Sequence, residues 1–480
     1  MRTILTFSVL ILALCIGCPQ PAPPTVPVAS VVTPDLDDRE LTFDGSWTIF
    51  HGPNRDNRSP DTGLLQSWSE GGPPLLWKAS GIGTTEFPGY SSVTVADGRV
   101  FTAGNIRTGE TDRDAHVYVF ALDERTGEEL WRYRNGGAWV EEGGRFPGER
   151  STPTIDGDRV YAFSALGRVV CLEVATGNEI WARDLREEYA IELPHWGFAE
   201  SPYIDGNKII LWISSPTAAV VALDKMSGET IWETPNERIR VSTEAHPVAI
   251  WGTPNEGVEY REIYPRGGYA SMIAFDHGGQ RIYVNTNQKG FLGVNAETGA
   301  RLFYIPHETA WDVLATTPYF FDGNLFITSG YGAGARLYRL NVEGDAVTPE
   351  RVWANDFDNQ HHSIVIKDGY AYGTTHNHRG GRNWTSIRLA DGSVAWENPG
   401  VLQGSAKYAD GMLYCVGDRE GYVALVRATP ERYEEVSRFR LPDAAEGGGV
   451  GPFWAHPVVV NKKLFIRHGT FLYCFDIAER

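Results

Sequence analysis

Histidine, acidic and tryptophan side chains occur together in several polar segments of this 480-residue sequence. The candidate binding residues are His195, Trp196, Trp311, Asp312, His361, His362 and Trp454. Aromatic faces stack on planar groups and on sugar rings, and imidazoles and carboxylates add directional hydrogen bonds. The same polar groups perform acid–base chemistry when they reach a reacting proton. These residues therefore predict a site for a ligand or a partner.

The motifs of the common hydrolases do not accompany these residues. The sequence contains no Gly-x-Ser-x-Gly nucleophile elbow and no His-Glu-x-x-His zinc motif. His376 and His378 would share one face of a strand, but a zinc site needs three or four converging ligands. We therefore expect neither a catalytic residue nor a metal site.

Two turn signals recur along the chain and indicate the elements that carry these segments. Asp-Gly pairs begin at residues 97, 156, 205, 322, 368 and 410. This dipeptide favours a type I′ hairpin, in which both central residues have positive φ. A second turn, usually Thr-Gly, follows twenty to thirty residues later, and an aromatic residue stands four positions after its glycine. Such regular recurrence is typical of tandem repeat folds.

Each repeat is expected to be a four-stranded antiparallel meander. In residues 154–181 two apolar runs flank Asp156-Gly157, and two more flank Thr176-Gly177. Eight such units start near Ser91, Ser151, Ser201, Ala270, Thr316, His362, Ser405 and Ala455. A single meander cannot bury both faces, so the sequence predicts an all-β fold, an eight-bladed β-propeller of four-stranded antiparallel blades.

The last repeat ends one strand short, at Asp476. Residues 74–78 resemble the fourth strand of the other units, and we expect this N-terminal strand to complete the last blade. Such pairing closes the ring and removes an exposed sheet edge. Trp131, Trp181, Trp232 and Trp396 occupy one position of successive repeats, which favours blade-to-blade packing over a cofactor site.

The repeats at residues 121–131, 171–181 and 222–232 resemble the PQQ-like repeats of the quinoprotein alcohol dehydrogenase-like propellers. The resemblance covers about residues 74–480. It is strongest to bacterial lipoprotein and periplasmic members, in particular the planctomycete group, whose leader is similar to residues 50–56, and more distant to the BamB lipoproteins. It implies the fold more specifically than the function.

The resemblance leaves three functions open. The first is a non-catalytic binding or scaffold module of the cell envelope, whose partner is an envelope protein, a peptide or a polysaccharide. The second is a PQQ-dependent quinoprotein dehydrogenase that oxidises an alcohol or a sugar, with calcium on the quinone and Asp312 or Asp358 as base. The third is a carbohydrate-binding propeller. This sequence lacks the adjacent cysteine pair of the enzymes, so we expect no cofactor, neither PQQ nor calcium.

The N-terminus is typical of an exported protein. Residues 1–18 form a charged and then apolar signal ending at Cys18, which we expect to be lipidated. Residues 19–45 are a Pro-rich tether, and residues 46–480 form the propeller. These features predict a periplasmic or outer-membrane-associated lipoprotein that contacts the membrane through its lipid anchor only. A net charge of -18 argues against nucleic acid as a partner.

Propeller topology predicts where the candidate residues meet. The loops from the last strand of one blade to the first strand of the next share one face, where the central channel opens. All seven candidate binding residues fall in such loops, and the rigid blades should bring them together at the channel mouth.

Overall fold

The computed structural model describes residues 45–84, 89–111, 114–140, 147–242, 260–376, 382–442 and 451–479. Its strands form eight four-stranded antiparallel sheets, the blades of a propeller, and one two-stranded hairpin. The hairpin pairs Ile239–Ser242 with Tyr260–Ile263. Helices are limited to Leu185–Glu188 and a 3-10 turn at Ala310–Asp312 in the described part. No helix there is long and apolar enough to cross a membrane.

The first four blades follow one another along the chain. Blade 1 consists of Thr94–Ala96, Arg99–Arg107, Ala115–Asp123 and Glu129–Gly137. Blade 2 consists of Thr154–Asp156, Arg159–Phe163, Arg168–Glu173 and Glu179–Asp184. Blade 3 consists of Tyr203–Asp205, Lys208–Trp212, Ala218–Asp224 and Thr230–Pro235. Blade 4 consists of Ile273–His277, Gln280–Asn287, Gly290–Asn295 and Arg301–Pro306.

The other four blades complete the ring. Blade 5 consists of Tyr319–Phe321, Asn324–Ser329, Gly334–Glu343 and Ala346–Asn355. Blade 6 consists of Val365–Lys367, Tyr370–Thr374, Trp384–Arg388 and Val394–Asn398. Blade 7 consists of Gly404–Ala409, Met412–Gly417, Tyr422–Arg427 and Glu434–Arg440. Blade 8 consists of Val458–Val460, Lys463–His468, Phe471–Asp476 and, from the N-terminal side, Leu75–Ala79.

The ring closes as the sequence predicts, through a strand from near the N-terminus. Leu75–Ala79 pairs antiparallel with Phe471–Asp476, and Trp77 lies opposite Cys474. The strand begins one residue later than expected. Both ends of the propeller are therefore held in one blade, and neither end leaves an unpaired strand.

The Asp-Gly turns are of two kinds, and the sequence predicted only one of them. In blade 1 both Asp97 and Gly98 have positive φ, as a type I′ turn requires. In blade 2 Asp156 instead ends the first strand and pairs with Arg159. The central residues there are Gly157 and Asp158, and only Gly157 has positive φ. The expectation of a type I′ turn was wrong in this blade, because a turn with glycine first needs positive φ only at that glycine.

The repeated tryptophans join neighbouring blades, as expected from the sequence. Trp77 lies so close to Gly127 of blade 1 that a Cβ there would stand 2.6 Å from its ring. Its indole N–H donates to the Glu124 carbonyl at 3.0 Å. The same ring-on-glycine contact recurs at Trp131–Gly177, Trp181–Gly228, Trp232–Gly299 and Trp353–Gly392. The glycine is required because its φ is positive and the ring fills the place of a side chain.

The sequence analysis missed one of these rings, and it assigned the equivalent position to one residue that packs within its own blade. Trp353 of blade 5 docks on Gly392, although its own repeat has a poorly marked second turn. Phe303 of blade 4 holds the equivalent position but packs against Gly293 of its own blade. Blades 4 and 5 are joined instead by the rings of Phe275 and Phe320, which stack with centroids 3.7 Å apart.

Buried hydroxyl groups link the blades a second time, next to the channel. The Ser92 amide donates to the Thr152 hydroxyl, and the Thr152 amide donates to the Ser201 hydroxyl, both at 3.0 Å. The Ser201 amide continues the series to the Ser271 hydroxyl at 3.0 Å. Between blades 8 and 1, the Ser92 hydroxyl donates to the His456 carbonyl at 2.6 Å.

An N-terminal segment, residues 45–59, fills the channel; we call it the plug. Its main chain bonds to the first strands of blades 1 and 2, at Val95 and Ile155. The side chain of Arg55 lies over the Tyr203 ring of blade 3. Asn57 is fully buried and donates to Tyr319 of blade 5 and to a carbonyl at the start of blade 6. The channel is therefore closed by the chain itself on one side.

The cysteines of the propeller are structural, as expected. Cys171, Cys415 and Cys474 are free and buried, and each lies in a blade strand. Burial raises the pKa of Cys415 and Cys474 well above the ordinary range, so both thiols stay protonated at neutral pH.

Replacing Trp77 by alanine tests the closure of the ring. Trp77 is fully buried, and Trp77→Ala removes both the ring and its bond to blade 1. We expect a loss of about 3–5 kcal/mol in the free energy of unfolding, measured by urea denaturation. Trp311→Ala is the matched control, since Trp311 is 66% exposed and should change stability by less than about 0.5 kcal/mol. Equal stability of the two variants would contradict the closure role of Trp77.

Candidate functional site

A cavity of about 840 Å³ opens at the channel mouth, on the face formed by the loops between blades. Phe50 and His51 of the plug form part of its wall and close it on the channel side. Six other aromatic residues line it, namely Tyr90, Trp196, Tyr269, Tyr331, Phe453 and Trp454. Its volume and its mixture of rings and polar groups are typical of a small-molecule or chain-end site.

Four of the seven candidate residues line this cavity. They are Trp196, His361, His362 and Trp454. These four residues thus lie where the loops between blades were expected to converge, at the channel mouth.

The other three candidate residues lie outside the cavity lining. His195 is exposed and meets the edge of the Trp196 ring, with centroids 4.5 Å apart. Trp311 points away into solvent from a backbone with φ 67. Asp312 forms an ion pair with Lys289, with 2.6 Å between the carboxylate and the ammonium. Both Trp311 and Asp312 have positive φ, a backbone conformation that sequence spacing does not reveal.

The rings of the cavity wall support each other. Tyr90 and Trp454 lie 5.1 Å apart between ring centroids, and Trp196 and Tyr269 lie 5.8 Å apart. His361 meets Trp454 nearly edge to face, with centroids 4.9 Å apart. Edge-to-face and offset contacts at these distances are favourable. The wall is therefore a preformed aromatic surface.

Three residues from distant parts of the chain form a hydrogen-bonded series at the inner end of the cavity. Nε2 of His456 lies 3.0 Å from the His361 carbonyl, which can only accept, so this nitrogen carries the proton. In the neutral ring Nδ1 is then an acceptor, and His51 Nε2 donates to it at 3.1 Å. Nδ1 of His51 is left as a buried acceptor with no hydrogen-bond partner among the described residues.

The imidazoles of the cavity are held neutral. Burial is the main cause that lowers the pKa of His51, His361, His362 and His456 well below the ordinary histidine range. The side chain of Lys407 and, less strongly, the His361 imidazole lower the pKa of His456 further. At neutral pH these rings act as hydrogen-bonding groups and not as cations.

Guanidinium groups stand among the aromatic rings of the cavity. Arg150 lies over the rings of Tyr90 and Trp139, with 5.3 and 5.6 Å to their centroids. It also donates to the carbonyls of Gly148 and Trp196, at 3.1 and 3.3 Å. Arg382 and Arg419 line the cavity as well. Arg150 therefore has a fixed position and braces the loops that carry the rings.

A carboxyl and an amide from blade 7 form the polar wall. Gln403 Nε2 donates to Asp418 Oδ2 at 2.6 Å. This bond fixes the orientation of the amide, since a carboxylate oxygen accepts from the nitrogen end. Oε1 of Gln403 is buried without a hydrogen-bond partner in the described part of the chain. Burial raises the pKa of the Asp418 carboxyl.

Sequence reasoning missed His51, Gln403, Asp418 and His456 as lining residues. Asp418 and Gln403 flank strands of blade 7, and their spacing matches no motif. His51 lies in the plug, whose course through the channel nothing in the sequence indicates. The leader at residues 50–56 was the one available signal, and it was interpreted only as a mark of family resemblance.

The histidine pair considered as a metal site is not built as the sequence suggested. The strand before it ends at Thr374, so His376 follows the strand and lines the cavity. His378 lies outside the described residues, as do Cys18 and all of the tether before residue 45. Within the described ranges no three His, Cys, Asp or Glu side chains converge as metal ligands.

One serine–histidine contact exists, but it lies apart from the cavity. His307 Nε2 is 2.5 Å from the Ser329 hydroxyl, and Arg336 bonds to the other side of the ring. Both His307 and Ser329 are buried. A guanidinium cannot orient a histidine as a base in the way that a carboxylate does. This contact packs blade 4 against blade 5.

Comparison with known proteins identifies a matching family. The family model described as outer membrane protein assembly factor BamB matches residues 113–398. No curated protein sequence gives a significant match.

Solved structures show the same fold at low sequence identity. BamB from Moraxella catarrhalis is 14% identical with a TM-score of 0.50, covering 82% of this chain and 96% of that one. Quinohemoprotein alcohol dehydrogenase from Comamonas testosteroni is 12% identical with a TM-score of 0.58, covering 92% and 81%. The quinohemoprotein alcohol dehydrogenase ADHIIG from Pseudomonas putida HK5 is 13% identical with a TM-score of 0.55, covering 90% and 80%.

The described lining offers few oxygen ligands for the calcium that the resemblance to quinoprotein dehydrogenases implies. Calcium takes six to eight oxygen ligands, whereas the described lining contains only two carboxylates, Asp418 and Glu420. Its other polar groups are mainly imidazoles and guanidiniums, which are poor or repulsive neighbours for a hard cation. The two bases considered in the sequence are also placed elsewhere, since Asp312 pairs with Lys289 and Asp358 accepts from the Gly332 and His376 amides.

The neutral imidazoles predict a specific dependence of stability on pH. The folded pKa of His456 is depressed, so its contribution to stability is present above the unfolded pKa, about 6.5, and is lost as pH falls below it. Relative to a His456→Gln variant, the wild type should lose up to about 1.4 kcal/mol per pH unit between pH 6.5 and 5. Urea denaturation at several pH values measures the difference. Parallel pH profiles of the two proteins would show that His456 is not held neutral.

Proposed function

The chain belongs to the family described as outer membrane protein assembly factor BamB, and from this premise we propose that it is a non-catalytic binding module of the cell envelope. The propeller acts as a rigid support, and the cavity at the channel mouth receives a segment of an envelope protein or polymer. The family membership supports the envelope location and the binding role. The shape of the cavity supports the position of the site.

The observation that carries the proposal is a preformed cavity that brings aromatic rings and hydrogen-bonding groups together. Aromatic rings, fixed guanidiniums and neutral imidazoles line it. The plug closes it on the channel side, so a ligand enters and leaves by the loop face only. A bound segment can contact rings and hydrogen-bonding groups at once, which is the composition expected of a recognition site.

The N-terminal sequence supports the location. The signal at residues 1–18 directs export, Cys18 carries the lipid, and the tether at residues 19–45 spaces the propeller from the membrane. The plug begins where the tether ends. The same stretch of chain therefore connects the anchor to the channel.

The dehydrogenase function is the less favoured candidate. The similarity to quinohemoprotein alcohol dehydrogenases is 12–13% in sequence and concerns the fold. The cavity lacks the oxygen ligands for calcium, and the sequence has no adjacent cysteines. Added PQQ and calcium should therefore give no alcohol- or sugar-dependent dye reduction by the purified protein.

Capture of a partner tests the binding role directly. The purified chain, immobilised and exposed to solubilised envelope from its own cells, should retain one component in stoichiometric amount. Trp196→Ala removes a ring of the cavity wall and should reduce the recovery at least about tenfold, given the energy of a buried aromatic contact. Trp311→Ala, an exposed ring outside the lining, serves as the control.

Two outcomes would refute this function. One is recovery that is unchanged by Trp196→Ala, because the cavity would then not be the binding site. The other is steady dye reduction with PQQ and calcium, because the protein would then be an enzyme. Thermal unfolding of each variant shows that a loss of recovery does not result from misfolding.

A further inference from the structure

Several buried polar atoms of residues that line the cavity have no hydrogen-bond partner among the described residues. Gln403 Oε1 and His51 Nδ1 have no hydrogen-bond partner among the described residues, and both residues are only 3% exposed. Nε2 of His362, which is 2% exposed, also has none. A buried acceptor without a donor is costly, so such groups in native proteins face water or a ligand.

The acceptor character of two of these atoms is fixed by their neighbours. The bond from Gln403 Nε2 to Asp418 turns the amide oxygen away from that carboxyl. The series from the His361 carbonyl through His456 assigns the proton of His51 to Nε2, which leaves a lone pair on Nδ1. The missing ligand groups must therefore be donors.

These acceptors belong to one continuous wall that also contains an aromatic ring. Trp454 contacts His361 at 4.9 Å between centroids, and the His361 carbonyl begins the series to His51. On the other side, the amide of Phe453, next to Trp454, donates to the Asp418 carbonyl at 2.9 Å. The indole of Trp454 thus belongs to the same cavity wall as the Gln403 amide and the His51 imidazole.

This combination selects a class of ligand. A sugar ring presents an apolar face for an aromatic side chain and, around its edge, hydroxyls that both donate and accept. Arg382 is a donor in the same lining for hydroxyl oxygens. An acidic group fits this wall less well, because a carboxylate only accepts hydrogen bonds and would leave Gln403 Oε1 and His51 Nδ1 without donors.

We propose that the channel-mouth cavity binds the terminal ring of a neutral glycan, with Trp454 as the stacking surface and with Gln403 and His51 as acceptors for its hydroxyls. The closed inner end admits a chain end and not a continuous strand. This inference rests on the proposed function, since it names the ligand class of the same site.

A glycan array of neutral, N-acetylated and acidic oligosaccharides, followed by calorimetric titration of the hits, tests the inference. The purified protein should bind neutral glycans and should show little binding to acidic ones. Trp454→Ala should weaken the affinity at least about tenfold, and Trp454→Phe, which keeps a ring, should weaken it less. Gln403→Leu should also weaken binding, and Trp311→Ala should leave it unchanged.

The possible failures are distinguishable from failure of the proposed function. Absence of glycan binding overturns the carbohydrate assignment, and so does binding that is insensitive to both Trp454→Ala and Gln403→Leu. If a protein component is still captured in a Trp196-dependent manner, the site is a peptide site and only the ligand class is wrong. Preference for acidic glycans would likewise refute the neutral-sugar assignment. Thermal unfolding separates loss of binding from loss of fold, in particular for Gln403→Leu, which leaves Asp418 without its amide partner.

Discussion

The contact between a tryptophan ring and a glycine of the next blade joins five of the eight pairs of neighbouring blades in the described structure. The ring takes the space of a missing side chain, and in five of the six blades that contribute such a tryptophan a glycine with positive φ receives it. Each contact joins the outermost strand of one blade to a turn of the next, so it fixes the angle between two sheets. Trp77 makes this contact from a strand contributed by the N-terminal part of the chain. The contact that closes the ring between blades 8 and 1 is therefore of the same kind as the contacts between other blades.

A ring built in this way leaves a channel whose wall is made of eight short first strands. Two features of the chain line and fill this channel. Serine and threonine hydroxyls bond neighbouring strands across the blade boundaries, and the plug fills one side with buried polar groups such as Asn57. Both features satisfy backbone groups that the blades cannot pair alone. The cavity at the channel mouth has Phe50 and His51 of the plug in its wall.

The chemistry of that cavity follows from its burial. Desolvation keeps the imidazoles uncharged, and backbone carbonyls and neighbouring rings determine which nitrogen carries each proton. Arg150 donates to two loop carbonyls and braces those loops. The other lining groups include directional acceptors and the guanidiniums of Arg382 and Arg419 beside aromatic faces, which suit recognition of a hydroxyl-rich or amide-rich segment.

The sequence alone determined the fold class, the number of blades and the strand that closes the ring, because these depend on local turn chemistry and on a spacing that repeats. It also placed Trp196, His361, His362 and Trp454 on the loop face, since propeller topology assigns every loop between blades to that face. Only the tertiary structure decided which lining residues join them. His51 reaches His456 across 405 positions of the sequence, through a plug with no repeat signal. Contacts of such separation depend on how the closed ring folds the N-terminal segment inward, and no local pattern encodes that course.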